Sequence, residues 1–94
     1  MIGSEKQIIW ATELKVAVTE TIKEFTAYAT KIGAPAEVIA TWTARVDKLA
    51  ACDIAGAIID QFQGFSRTGD LQKDAVSLNS KYKVGSNQYG YKFS

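Results

Sequence analysis

The sequence predicts a mainly α domain with three helices, the first of them long, and a C-terminal β-hairpin or extended arm. Two observations support this fold class. Apolar residues recur at spacings of three and four through the first two thirds of the chain, which is the period of a helix with one buried face. In residues 81–93 apolar and polar residues instead alternate in places, which is typical of strands. The 94 residues form one domain, with a helical core at 4–66 and a loop and basic aromatic tail at 67–94.

The first helix is predicted over residues 4–32. Ser4 and Gln7 have the spacing of a capping box, in which each side chain accepts a hydrogen bond from the backbone of the other residue. Gly33 suits the left-handed position that follows a helix, and Pro35 prevents its continuation. The apolar stripe of this helix consists of Ala11, Leu14, Val18, Ile22, Phe25, Ala29 and Ile32.

Two shorter helices follow. Pro35 can open the second as its first residue, and we expect it to run to about Ala51. Asp53 is predicted to cap the third helix, and Gly64 to end it. Gly56, inside the third helix, would allow a neighbouring helix to approach closely. The buried faces are predicted to hold Ile39, Trp42, Val46 and Leu49, then Ile54, Ile58, Ile59 and Phe62.

The C-terminal third is less regular. Residues 66–70 are predicted to form a loop, and residues 71–78 either a short helix or an irregular segment. Turn residues at 85–87 separate Tyr82 and Val84 from Tyr89, Tyr91 and Phe93, which predicts a weak hairpin or an extended tail. Because an isolated hairpin is marginal in water, this segment must lie on the helices, on a ligand or on another chain.

The length of the first helix predicts self-association. About 29 residues span roughly 43 Å, whereas the second helix, with about 17, spans roughly 25 Å. One short helix cannot cover the long apolar stripe, so the third helix and the tail, or a second subunit, must cover the rest. We therefore expect a homo-oligomer.

Composition and charge exclude several classes of function. A net charge of +1 argues against an acidic DNA mimic and against a strongly basic nucleic-acid-binding protein. The chain has no His, which excludes Ser-His and Cys-His nucleophile pairs and, with one Cys, an ordinary zinc site. It also lacks a glycine-rich phosphate loop. We therefore expect no enzyme, no metal and no cofactor.

The expected location is the cytoplasm. The single cysteine, Cys52, cannot form a disulfide within the chain and is expected to be a buried thiol, which fits a reducing compartment. The N-terminus lacks a signal pattern, and no apolar run approaches the ~18 residues that span a bilayer. No contact with a membrane is expected.

Residues 3–11, Gly-Ser-Glu-Lys-Gln-Ile-Ile-Trp-Ala, resemble the opening of small proteins from phages and other mobile elements. Those proteins begin a helical segment with Gly-Ser-x-Lys-Gln-x-x-Trp-Ala, and some carry an Ile-Asp pair near its end, to which Ile59 and Asp60 are similar. The relatives usually have Trp-Ile-Asp followed by Asn-Arg, whereas Ile58 precedes and Gln61 and Phe62 follow the pair here. The resemblance implies a mobile-element origin, a bacterial host cytoplasm and, by class, a protein that blocks a host protein such as a defence nuclease.

The basic aromatic tail is the strongest candidate for a binding site. Residues 66–94 carry five basic and two acidic side chains, whereas residues 1–65 carry six and eight. Aromatic rings can stack on bases while lysines contact phosphate, and tyrosine is also enriched in protein interfaces. A third alternative is that the aromatic rings pack on the helices while the lysines face water. The candidate residues are Lys81, Tyr82, Lys83, Tyr89, Tyr91, Lys92 and Phe93.

Two residues of the helices, Trp10 and Asp60, complete the candidate set. Trp42 is expected in the core, whereas Trp10 lies either in the core or exposed as an interface anchor. Asp60 is either solvated or paired with Arg45 or Lys48, if the second and third helices form an antiparallel hairpin.

The sequence favours a non-enzymatic module that binds a host protein. Inhibition of a host defence protein is one form that such binding could take. The alternative is a small nucleic-acid-binding protein that uses the tail. In either case, deletion of residues 81–94 is expected to abolish binding while helix content is retained.

Overall fold

The computed structural model describes residues 1–83 and 89–93, and the described residues form four helices rather than three. The helices are α1 (Glu5–Lys31), α2 (Ala36–Ala51), α3 (Ala55–Phe62) and α4 (Leu71–Lys81). Helix α4 is the short helix that was one of the two alternatives for residues 71–78. It lies in the segment assigned to the loop and tail, where a sparse apolar pattern gave little periodic signal.

The predicted C-terminal hairpin is not supported. Its first strand would include Tyr82, which instead follows α4 directly in a helical conformation as the C-cap. Among the described tail residues, 89–93 form no strand, and the predicted turn at 85–87 lies outside the described residues. Contacts between aromatic rings, rather than hydrogen bonds between strands, hold residues 89–93 in position.

Both ends of α1 form as predicted. The Ser4 hydroxyl accepts from the Gln7 N–H at 3.2 Å, and the Gln7 side-chain oxygen accepts from the Ser4 N–H at 3.0 Å. This confirms the capping box. At the other end Gly33 adopts a φ of 75°, and the Ala34 N–H donates to the Ala29 carbonyl. This bond across the last turn satisfies a carbonyl that would otherwise lack a partner.

The predicted start of the third helix is wrong. Asp53 does not cap it; Ile54 is the N-cap residue, and α3 has no side-chain cap. The extended N-terminal segment takes that role, because the Ile2 carbonyl accepts from the Ala55 N–H at 2.8 Å and the Ile2 N–H donates to the Asp53 carbonyl at 2.7 Å. Pro35 likewise precedes α2 as its N-cap residue and is not its first helical residue.

Helix α1 is the spine of the molecule. It contacts α2, α3 and α4, and α3 also contacts α4. The described molecule measures 42 × 25 × 19 Å, so its long axis matches the roughly 40 Å length of a 27-residue helix. Of the predicted stripe of α1, the residues that are fully buried are Ala11, Leu14, Val18, Ile22 and Ala29. One chain therefore buries five of the seven predicted stripe residues, and self-association stays a prediction.

The aromatic rings of the tail complete this core. Phe93 is only 2% exposed and meets Phe62 of α3 edge-on at 5.2 Å. The ring centroid of Tyr82 lies 5.5 Å from that of Phe62, and the ring centroids of Tyr91 and Phe93 are 4.6 Å apart. These contacts favour the alternative in which the tail packs its rings on the helices.

Among the described residues, no helix combines the length and apolarity needed to cross a bilayer.

Candidate functional site

The seven candidate residues of the tail occupy two different environments. Tyr82 and Phe93 are buried and Tyr91 is partly buried, with its hydroxyl donating to the Lys48 carbonyl at 2.9 Å. Lys83, Lys92 and Tyr89 are exposed. Contact with a partner through the buried rings would require these rings to leave the core.

Lys81 joins two helix ends. Its ammonium group donates to the Gln63 carbonyl at 2.9 Å, just beyond α3, where a cation also complements the helix dipole. In return, the Gln61 amide donates to the Lys81 carbonyl at 2.6 Å, at the end of α4. Lys81 therefore has a structural role in addition to any contact with a partner.

Three of the predicted site residues, from three separate parts of the chain, meet at one cavity. Trp10 comes from α1, Asp60 from α3 and Tyr89 from the tail, and together they border a cavity of about 230 Å³. We call this cavity the Asp60 pocket; its other lining residues are Gln7, Gly56, Ile59 and Gln63. Four of the residues on which the resemblance to mobile-element proteins rests line this pocket, namely Gln7, Trp10, Ile59 and Asp60.

Gly56 gives Tyr89 its position in this pocket. A Cβ atom at residue 56 would lie 2.5 Å from the Tyr89 hydroxyl oxygen, so only glycine leaves room for the ring. The predicted close approach at Gly56 therefore exists, but it is made by a tyrosine of the tail and not by a neighbouring helix. No residue pattern within α3 indicates this contact, because the tail is distant in sequence.

Trp10 is exposed rather than buried. Its side chain is 46% exposed, which decides between the two alternatives in favour of a surface position. Helices α2 to α4 do not cover the side of α1 that carries Ile9, Trp10 and Val16, and all three side chains are exposed. Tryptophan is one of the residue types enriched among the dominant contacts of protein interfaces.

A second cavity lies on the other side of Trp10. It has a volume of about 590 Å³ and runs along α1 beside the segment that follows α3. We call it the α1 groove; its apolar lining consists of Trp10, Leu14, Val16, Ala17 and Phe65. Sequence reasoning missed Phe65, because this residue directly follows the glycine that ends α3 and has no periodic pattern to place it.

Three charged side chains line the α1 groove. Glu13 and Glu20 line it together with Arg67. Arg67 pairs with Glu20 at 3.1 Å and also with Glu24, whereas Glu13 has no ion-pair partner among residues 1–83 and 89–93. Two carboxylates and one guanidinium group therefore line the groove, and the carboxylate of Glu13 gives its lining one uncompensated negative charge.

Arg45 does not pair with Asp60 as one alternative proposed. Its guanidinium group lies between the rings of Trp42, at 4.6 Å, and Tyr82, at 4.2 Å, and it donates to the Asn79 side chain at 2.9 Å. Burial lowers the pKa of Arg45 and raises the pKa of Tyr82 to about 12. This stack therefore joins Arg45 of α2 to Asn79 of α4 and to the C-cap residue Tyr82, and not to Asp60.

Residues 1–83 and 89–93 contain no group of three His, Cys, Asp or Glu side chains able to hold a metal ion. Cys52 is buried, as predicted. Comparison with family models, with curated proteins and with solved structures finds no match to this chain.

Proposed function

We propose that this chain is a non-enzymatic module that binds another protein through the Trp10 surface, defined as Trp10 with the Asp60 pocket and the α1 groove on either side. The observation that carries the proposal is the 46% exposure of Trp10 between these two cavities. An indole ring held by a helix offers a large apolar area at little entropic cost, and cavities beside it can receive side chains of a partner.

The alternative of nucleic-acid binding is less favoured. Stacking on bases needs exposed rings beside lysines, but Tyr82 and Phe93 are buried. The exposed Trp10 has carboxylates in both neighbouring cavities, and these repel phosphate. The resemblance of residues 3–11 to mobile-element proteins narrows the proposal to a bacterial host protein, of which a defence protein is one class.

A pull-down from bacterial lysate, with and without nuclease, tests the proposal. The parent chain is compared with Trp10→Ser and with Val76→Ser, a matched control because Val76 is also an exposed apolar residue but lies on α4. We expect a protein that the parent and Val76→Ser retain and that Trp10→Ser loses. Loss from all three chains after nuclease treatment would favour nucleic acid, and retention by Trp10→Ser would place the contact elsewhere.

A further inference from the structure

We infer that the α1 groove receives an amphipathic helix of the partner protein, and that this helix carries Lys or Arg beside its apolar face. The inference rests on the proposed function, because it specifies what the Trp10 surface binds. Shape and charge support it separately.

The shape of the groove fits a short helix. Its lining extends along α1 from Trp10 to Glu20, which is about 15 Å at 1.5 Å per residue and corresponds to roughly three helical turns. Leu14 and Phe65 form an apolar floor that is itself nearly buried. Trp10 lies at one end of this stretch of α1, and Arg67 lines the groove from the segment that follows α3. Helices that bind in such grooves insert apolar side chains from successive turns.

The charge of the groove selects a basic helix. Glu13 has no ion-pair partner among the described residues, and Glu20 shares Arg67 with Glu24. A Lys or Arg of the partner beside Glu13 would gain a pairing that the chain itself does not supply, and a guanidinium group over the Trp10 ring would gain a cation–π contact. A helix flanked by Asp or Glu would instead meet like charges.

The same charge argues against a second copy as the occupant. A symmetric dimer places the same surface on both sides of the contact, so Glu13 and Glu20 of each copy would enter one interface from both sides. The repulsion disfavours that arrangement. In sedimentation of the isolated chain, we therefore expect no dimer that depends on Trp10. A dimer that Trp10→Ser dissociates would overturn the inference.

The test uses a displayed library of helical peptides. Each peptide carries a fixed stripe of Leu and Phe, and each flanking position is either Lys or Glu. The library is selected in parallel on the parent chain, on Glu13→Lys and on Glu37→Lys. Glu37 is an exposed residue in the first turn of α2, so this control makes the same change of charge far from the groove.

We expect Lys to be enriched on the parent and on Glu37→Lys, and this enrichment to be lost on Glu13→Lys. Selected peptides should bind Trp10→Ser at least about 30-fold more weakly. This is the loss expected when truncation of an interface residue costs about 2 kcal/mol of binding free energy. Removal of one exposed charge by Glu13→Gln should weaken binding up to about fivefold. Equal selection of Lys and Glu, absence of any selected peptide, or the same enrichment on Glu13→Lys would each overturn the inference.

The two proposals can fail separately. If the pull-down identifies a protein that depends on Trp10 but the library shows no preference for Lys, the proposed function stands and the basic helix is wrong. If no captured protein depends on Trp10, the proposed function fails regardless of the library.

Discussion

At the scale of single residues, the two tryptophans show how position on a helix decides the role of a side chain. Both lie on helices, but Trp42 is only 8% exposed, and its ring centroid lies 4.9 Å from that of Phe25. Trp10 is half exposed because no other helix covers its sector of α1. The same residue type therefore packs in the core at one position and lies on the surface at the other.

Replacement of these tryptophans should separate stability from binding. Trp42→Ala should lower the free energy of unfolding by ~3–5 kcal/mol, as is typical for a buried aromatic residue, and a small domain has little more in reserve. Trp10→Ala should change it by less than about 1 kcal/mol, since surface substitutions have small effects. Urea unfolding followed by circular dichroism measures both. Equal losses for the two variants would mean that Trp10 belongs to the core.

Gly56→Ala should change the Asp60 pocket without unfolding α3. The new methyl group would overlap the Tyr89 ring, so the ring must move, while alanine favours the helix by up to ~1 kcal/mol. We expect retained helix content and shifted ring resonances of Tyr89 in an NMR spectrum. Unchanged Tyr89 resonances would show that the ring does not occupy this position in solution.

At the scale of elements, side chains join the ends of helices. Asp70 caps α4 by accepting from the Lys73 N–H at 3.1 Å, and Lys81 and Gln61 join the far ends of α3 and α4. The buried carboxylate of Asp74 accepts from the Thr68 hydroxyl at 2.7 Å and from the Thr68 N–H. These bonds fix the loop that carries Arg67 to the edge of the α1 groove.

This loop should become less stable in acid. The hydrogen bond from the Thr68 hydroxyl is the largest cause of the lowered pKa of Asp74. A carboxylate with a lowered pKa in the folded state contributes stability above its unfolded pKa of about 3.9, and the contribution is lost as the pH falls through the folded value. Asp74→Asn should therefore lose stability at pH 7 and show a flatter decline below about pH 4.

Urea unfolding at several pH values measures this effect. Asp47→Asn is a suitable control, because Asp47 is an exposed carboxylate on α2. If Asp74→Asn and Asp47→Asn decline in parallel with the parent at low pH, the Thr68 contacts do not stabilise the folded state.

At the scale of the whole molecule, one long helix organises a small domain and the tail closes it. Helices α2, α3 and α4 each contact α1, and Phe62 joins them to the tail through Tyr82 and Phe93. The sequence predicted that deletion of residues 81–94 would leave the helices intact. Because that segment includes two buried rings, we now expect the deletion to reduce helix content.

Single substitutions in the tail provide the sharper test. Phe93→Ala should lower the free energy of unfolding by ~3–5 kcal/mol, because it leaves a cavity beside Phe62. Tyr89→Ala should have a much smaller effect, since its ring is 45% exposed. Thermal unfolding of the two variants measures the difference. A Phe93→Ala variant as stable as the parent would show that the tail is not part of the core.

The sequence by itself determined the features that depend on neighbouring residues. The spacing of Ala11, Leu14 and Val18 predicted the buried face of α1, and the capping box and Gly33 predicted its ends, because helix period and capping are local effects. The same reasoning placed Trp42 and Cys52 in the core correctly. Local rules became weak after residue 66, where α4 has few apolar residues and one alternative was as well supported as the other.

Only the tertiary structure decided which surfaces remain open. Trp10 is exposed because the other helices cover a limited sector of α1, and the ring of Tyr89 reaches Gly56 across more than thirty residues. Asp60 meets Trp10 in one pocket for the same reason. Such contacts depend on how the helices and the tail pack around one small core. The arrangement that buries Phe93 is one of several that could cover the same apolar surface. No local pattern in the sequence records the outcome of that competition.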